Sequence, residues 1–459
     1  MIKKIILCVA TLLIMVTLFA CGGGVEFKTL PTDESYYKYK NTTDDFEYVV
    51  YNDHVGIENY KGTEKEVSVP SEIEGLPVTE ILSEAFAKNQ DILKVSLPSC
   101  LTKIGNAAFY DCIELEMIDI PKSVYSIGFS AFKNTDFLTA NNDEEFFSVG
   151  DGILISYNGE STDIKLPSGI KWLTDVFSAS NCKSIELNDG LLGISAYAFY
   201  ECKYLTSINI PNSVGYIGEY AFYNCAELNN IAISKNIYEI DRDAFMNTKW
   251  LKSKLKDFIV VGDGVLIYAP DDTAELIIPE GVKVIAEYAF ANKYSLEKLT
   301  IPEGVEFIDE YAFSGCTKLK EINIPNSVTR FGSGLFESCV ALTDINLPES
   351  MKFIPRNMFD ACTSLIAIEL PKDLERIDTE AFLDCSALTN AVIPENTTFL
   401  GERAFLGCGS LKSITIYKDV VFIGKSALYT KSDLTVNCIQ GSYADGFCIT
   451  NSLHTEYIK

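Results

Sequence analysis

Apolar and polar positions follow one pattern that returns every 23 residues along this chain. The unit reads Ala-Phe-x-x-Cys-x-x-Leu-x-x-Ile-x-Ile-Pro-x-x-Val-x-x-Ile-Gly. Its aromatic anchors are Phe86, Phe109, Phe132, Phe177, Phe199, Phe222, Phe245, Phe290, Phe313, Phe336, Phe359, Phe382 and Phe405, with Leu428 in the same place in a last copy. A fixed period in the range of about 20–50 residues marks a solenoid. Ala221, Phe222 and Cys225 predict a short turn or single helical coil that drives Phe222 inward. Ile208-Asn209-Ile210 and Ile322-Asn323-Ile324 predict short strands with both Ile side chains on the core side, ended by Pro211 and Pro325. No unit can bury its apolar groups alone, so neighbours must stack, at roughly 4.8 Å per parallel strand. The predicted fold is an α/β-type solenoid with one short parallel strand per unit plus short helical or turn segments, largely β and irregular.

The repeat breaks twice. Phe132 and Phe177 lie 45 residues apart, as do Phe245 and Phe290, and each gap holds one unit without its Ala-Phe-x-x-Cys segment. Thr135 and Thr248 stand where Cys is expected, followed by Phe137-Leu138 or Trp250-Leu251. Gly150-Asp151-Gly152 and Gly262-Asp263-Gly264, 112 residues apart, then predict tight hairpins in a duplicated block. Each hairpin is either a projecting contact element or a structural interruption of the stack.

These units resemble those of the BspA-like bacterial leucine-rich repeat surface-protein family. Phe46-Glu47-Tyr48, Val67-x-Val69-Pro70 and Gly75-Leu76-Pro77-Val78 resemble its N-terminal cap, and Gly441-Ser442-Tyr443-Ala444 its closing segment. The resemblance implies a leucine-rich repeat array and a surface protein that adheres to host matrix proteins, other bacteria or glycans. The predicted organisation is a cap and entry unit over 46–85, the array over 86–430 with interruptions near 137–167 and 250–279, and a closing cap over 431–459.

The beginning of the chain adds a location. Lys3 and Lys4 precede an apolar stretch from Ile5 to Ala20, too short for a comfortable membrane span of about 20 residues. Leu18-Phe19-Ala20-Cys21 resembles a bacterial lipobox. Residues 1–20 are therefore expected to be a lipoprotein signal peptide, with Cys21 carrying lipid and 21–45 forming a flexible tether; the alternative is an ordinary secretory signal with a chance Cys. The expectation is an exported monomer, lipid-anchored on the bacterial cell surface and meeting the membrane only through that lipid.

Composition then narrows the partners. Apolar residues make up 47% of the chain, enough for a continuous core, and the net charge is −26. That charge opposes nucleic acid, whose phosphates need Lys and Arg, and anionic lipid surfaces. Of the fourteen cysteines, Cys112, Cys202, Cys225, Cys316, Cys339, Cys362, Cys385 and Cys408 each fall three residues after an anchoring Phe. They predict a buried ladder of parallel thiols, poorly placed for disulfides. Cys438 and Cys448 lie outside it, and spacing leaves open whether they pair.

Catalytic chemistry finds little footing. The two histidines, His54 and His454, fall in opposite caps, which disfavours a His-based triad or zinc enzyme. Gly424-Lys425-Ser426 occupies the ordinary Ile-Gly slot and lacks the first Gly of a phosphate loop, Asp419 standing there instead. No cofactor or metal is expected, and the chain is read as a binder and not an enzyme. Two rows could bind. Tyr197, Tyr220, Tyr288 and Tyr311 precede the Ala-Phe pair, while Tyr110, Tyr200 and Tyr223 follow the Phe; they could stack sugars, anchor a protein, or shield the coil by stacking on one another. Asp119, Glu186, Asn209, Asn323, Asn346, Glu369 and Thr415 are the outward strand residues, a hydrogen-bonding face or simply a solvated one. The favoured function is binding of an extracellular protein or glycan; the alternative is surface capture of glycan or peptide for nutrient uptake.

Overall fold

The computed structural model describes residues 39–141, 143–430 and 433–459. The signal peptide, Cys21 and most of the tether lie outside the described residues. Strand pairing starts at Tyr39, inside the expected tether: Tyr39–Thr42 runs antiparallel to Phe46–Val50, which pairs with Val55–Tyr60. Val55–Tyr60 then runs parallel to Leu76–Ile81 and so starts the stack. The cap thus covers the first apolar layer with antiparallel strands.

One coil shows how the sequence makes the array. In Ser207–Asn209 the middle residue, Ile208, is buried while both flanks are exposed, and Ile208 sits opposite Ile231 of the next coil in parallel register. Pro211 has no N–H to extend the ladder, and its carbonyl accepts from the Val214 amide at 3.1 Å to close a turn. The chain then enters a second short strand, Tyr216–Ile217, flanked in parallel by Gly193–Ile194 and Glu239–Ile240. This second ladder adds to the expected strand. A third tie lies in the turn, where the amides of Tyr197, Phe199 and Glu201 donate to the carbonyls of Glu219, Ala221 and Tyr223 at 2.9, 2.7 and 2.8 Å. Neighbouring coils are therefore bonded at three places.

Inside, the anchoring phenylalanines stack. From Phe313 to Phe405 successive rings lie 5.0–5.7 Å apart and within 12° of parallel. Each such ring is fully buried, worth about 1.5–3 kcal/mol relative to exposure. Beside them runs the cysteine ladder. Each thiol donates to the backbone carbonyl of the Phe in the preceding coil, as in Cys225 to Phe199 at 3.0 Å and Cys362 to Phe336 at 3.1 Å. Burial pushes the Cys112 thiol up to about 11 and those of Cys316 and Cys408 up to about 12, which removes the nucleophilic thiolate. Cys438 and Cys448 are likewise buried and carry free thiols. A brief pulse of iodoacetamide on native protein, mapped by peptide mass spectrometry, is expected to label half-exposed Cys100 and spare the ladder until denaturant is added. Native labelling of Cys339 or Cys362 would overturn the burial.

The two breaks divide the core into three clusters, meeting near Ile153–Leu154 and Ile259–Leu266. At each break Thr replaces Cys for a local reason. Thr135 and Thr248 cap one-turn helices, α1 (Asp136–Thr139) and α2 (Lys249–Lys252), their hydroxyls accepting from Leu138 and Leu251 N–H. Phe137 and Trp250 then close the end of a Phe stack, 5.5 Å from Phe132 and 5.1 Å from Phe245. The hairpins follow. Phe146–Val149 pairs antiparallel with Ile153–Tyr157, and Ile259–Val261 with Val265–Tyr268, each through a three-residue loop. Ile153 and Val265 continue in parallel to Trp172 and Val284, so each return strand is part of the coil wall. Gly152 and Gly264 hold φ of +82° and +84°, and a Cβ on either would collide with the carbonyl of Gly169 or Gly281. Matching ion pairs, Lys171–Asp151 at 2.6 Å and Lys283–Asp263 at 2.7 Å, brace both loops.

At the other end, α3 (Tyr443–Thr450) and the parallel strand His454–Tyr457 close the array. Buried Asp445 accepts from the Gly441 amide at 2.8 Å and from the Tyr457 hydroxyl at 3.2 Å.

Candidate binding surfaces

The outward strand positions are where alternation puts them. Asp119, Glu186, Asn209, Asn323, Asn346 and Glu369 are exposed, and Thr415 is half-buried under Asn437, whose amide donates to it at 3.3 Å. Asn323 and Asn346 bridge in parallel, and Glu186 pairs with Lys165 at 2.8 Å. The row is not uniformly polar, because Ile277 and Val392 take the same place at 71% and 56% exposure.

The tyrosine row is half-buried and packed on itself. Tyr200 and Tyr223 stack at 5.5 Å and 5°, Tyr288 and Tyr311 at 5.2 Å and 9°, and Tyr197 lies 5.3 Å from Tyr220. Tyr197, Tyr220, Tyr288 and Tyr311 all hold φ between +53° and +61°, a left-handed backbone costly for any residue but glycine. The cross-coil bonds offset that cost: each of these amides donates to a carbonyl one coil on. Rings lying on rings leave little face for a sugar to stack on.

A further column escaped the sequence reading. It is the outward residue of the second ladder, just before the buried Ile of Ile-Gly. Phe353, Arg376, Phe399 and Phe422 follow one another in register there, the first three half-buried and Phe422 exposed, as do buried Phe307 and half-buried Arg330. Arg330 lies 4.1 Å from the Phe307 ring centre, Arg376 lies 5.0 Å from that of Phe399, and Phe399 stacks on Phe422 at 4.8 Å. Earlier in the array Trp172 lies 6.3 Å from Tyr216, its ring occupying the space a Cβ on Gly193 would need. Aligning the copies on that one position would have exposed the column.

Each break also leaves a notch, because the turn segment that would fill the stack is missing. The first measures about 370 Å³ and the second about 410 Å³. At both, a carboxylate from the following coil accepts a backbone amide across the gap: Asp175 from Ser130, which stands just before the Ala-Phe pair, at 3.0 Å, and Glu287 from Arg242, one residue earlier in its unit, at 2.9 Å. These pairs are 45 residues apart in sequence. Around the second notch acids crowd together. Burial, then Glu239, pushes Asp241 up to about 8, and burial pushes Glu287 up to about 7 with Glu310 adding to it. Asp241 accepts from the Tyr216 hydroxyl at 2.6 Å.

Such raised carboxyls make folding proton-linked. Between the unfolded value near 4 and about 8, the native state holds the Asp241 proton that the unfolded chain has lost. Stability from this group is thus full below pH 4 and falls as pH rises towards 8. Asp241→Asn is expected to melt higher than the parent at pH 9 and no higher at pH 4. Equal melting temperatures at pH 9 would contradict the assignment.

Among the described residues no group of three or more His, Cys, Asp or Glu is placed to hold a metal, and no helix is long and apolar enough to cross a membrane. His54 stacks on Tyr51 at 4.3 Å in the N-terminal cap and sits 2.7 Å from Asp53.

No curated protein matches the chain. Among solved structures, a leucine-rich cell surface protein from Faecalibacterium prausnitzii is 24% identical, covering 92% of this chain and 99% of that one at a TM-score of 0.31. A leucine-rich repeat protein from Eubacterium ventriosum is 21% identical over 86% and 95% at 0.38, and one from Bacteroides ovatus 20% identical over 92% and 100% at 0.31. The family described as BspA type leucine rich repeat region (6 copies) matches residues 78–175, 156–261, 271–366 and 316–435. Those stretches span well over half of the sequence, and the chain belongs to the BspA-type leucine-rich repeat family.

Proposed function

We propose that this chain is exported, anchored through lipid on Cys21, and binds an extracellular protein or glycan along the array. The observation that carries the binding part is the column of Phe353, Arg376, Phe399 and Phe422, since aromatic and Arg side chains are the ones enriched at interface centres. Family membership supports the surface location, and a net charge of −26 leaves nucleic acid out. No catalytic role is assigned to any residue. The second reading, capture of a glycan or peptide for uptake, draws support from the notches, whose volumes fall in the usual range for small-ligand sites of about 300–1,000 Å³.

The anchor has a direct test. Cys21→Ala is expected to shift the protein from the membrane fraction to the medium or periplasm, with loss of metabolic labelling by radioactive palmitate. Full retention of the variant in membranes would refute lipid anchoring.

A further inference from the structure

We propose that the first notch, between the turns carrying Phe132 and Phe177, binds a short peptide segment of an extracellular partner, whose backbone completes the missing turn as an added rung. This rests on the reading of the chain as a binder of extracellular partners and gives that reading a place and a partner class.

The argument starts from the ladder of turns. In a regular coil each turn donates amides to the next, as Phe109 does to Ala131 at 2.8 Å and Asp111 to Lys133 at 3.0 Å. Beyond the break the ladder resumes, with Phe177 donating to Ala198 at 3.2 Å and Ala179 to Tyr200 at 2.6 Å. Between them it stops. The amides of Phe132 and Asn134 donate to nothing among the described residues, and the carbonyls of Val176 and Ser178 accept from nothing among them. All four residues line the cavity of about 370 Å³. One side of the break therefore offers backbone donors at two-residue spacing, and the other offers acceptors at the same spacing, all groups that folded chains ordinarily pair.

That pairing selects the ligand. An anion would satisfy the amides but set its charge against the carbonyls, and a cation would do the reverse. A trans peptide group holds its C=O and N–H in opposite directions. One such group bridges Phe132 to Val176, and a second bridges Asn134 to Ser178, as strand addition does at a sheet edge. The surroundings narrow the sequence. Phe137 already closes the Phe stack, 5.5 Å from Phe132, so the inward residue of the occupant is small. Asn134 and Ala179 hold φ of +62° and +54° at matching places on the two sides, so glycine best suits the residue between them. Half-buried Leu138 and Ile155 supply an apolar floor. The second notch suits a rung less well, because the carbonyl of Ala289, which matches Val176, already accepts from the Ala269 amide at 3.1 Å.

The test uses the full-length chain in detergent. Residue-resolved hydrogen exchange on the free protein is expected to show the Phe132 and Asn134 amides exchanging at least roughly tenfold faster than those of Phe109 and Asp111. Equal rates overturn the free edge. A phage library of random linear peptides is then selected on the protein, with matrix proteins and glycans tried alongside. The expected result is glycine-containing peptides that slow exchange at Phe132 and Asn134 by roughly tenfold or more. In calorimetry, N-methylation at every second position of the best peptide is expected to weaken binding roughly tenfold or more, while methylation at the intervening positions does little. Failure to select a peptide, selected peptides that leave both amides unprotected, or a methylation scan without alternation overturns the site. Binding of a matrix protein or glycan alongside any of those failures leaves the wider reading standing; no binding by peptide, protein or glycan overturns both.

Discussion

Replacing Phe336 with alanine is expected to lower the unfolding free energy by about 3–5 kcal/mol, the usual loss for a buried Phe. The ring is fully buried, 5.4 Å from Phe313 and 5.7 Å from Phe359. Stacked coils relax poorly into a void, because each is bonded to its neighbours; the Phe336 amide itself donates to the Met358 carbonyl at 2.9 Å. The loss should be confined largely to the third core cluster, since stability in a solenoid is built from nearest-neighbour terms. Guanidinium titration followed by circular dichroism, with hydrogen exchange to localise the change, measures both. A loss below about 1 kcal/mol, more typical of a surface substitution, would mean that the Phe stack is not the core.

Gly218→Val is expected to destabilise comparably, by about 3 kcal/mol, at the upper end of overpacking costs. The cause is crowding, not backbone conformation. A Cβ at Gly218 would lie 2.5 Å from the Ala196 amide nitrogen and 2.9 Å from the Ser195 carbonyl carbon, both in the preceding coil. Neither is a flexible side-chain tip, so relief requires separating two coils and breaking the Gly218 amide's 2.8 Å bond to Ile194. Thermal melting reads the effect, and a variant melting within a degree or two of the parent would show that the coils sit further apart. The same contact explains the Gly in Gly424-Lys425-Ser426, where a Cβ would press on the Glu402 amide.

What the sequence disclosed follows from the physics of repetition. Inward Phe336 and Cys362, and alternation in Ile208-Asn209-Ile210, were legible because every copy states them again. The hairpins were legible from Gly-Asp-Gly. The second ladder was not, since a strand of two residues such as Tyr216–Ile217 is shorter than any period it could display. The left-handed backbone at Tyr288 was hidden too, because nothing about Tyr favours φ of +56°; the cross-coil hydrogen bond imposes it. Likewise the Ser130–Asp175 and Arg242–Glu287 bonds join residues 45 apart across a missing turn. No local pattern reports them, and the notches they border are defined by a segment that is not there.

The account turns on the array being a binding surface, and one measurement bears on that most directly. Purified full-length protein and a Phe353→Ala/Phe422→Ala double variant would be passed over immobilised matrix proteins and glycans at moderate ionic strength. The account predicts saturable binding to at least one protein or glycan by the parent. For a protein partner it predicts at least roughly tenfold weakening in the variant, as interface hot spots require. Absence of saturable binding by well-folded parent protein across the panel would contradict the account.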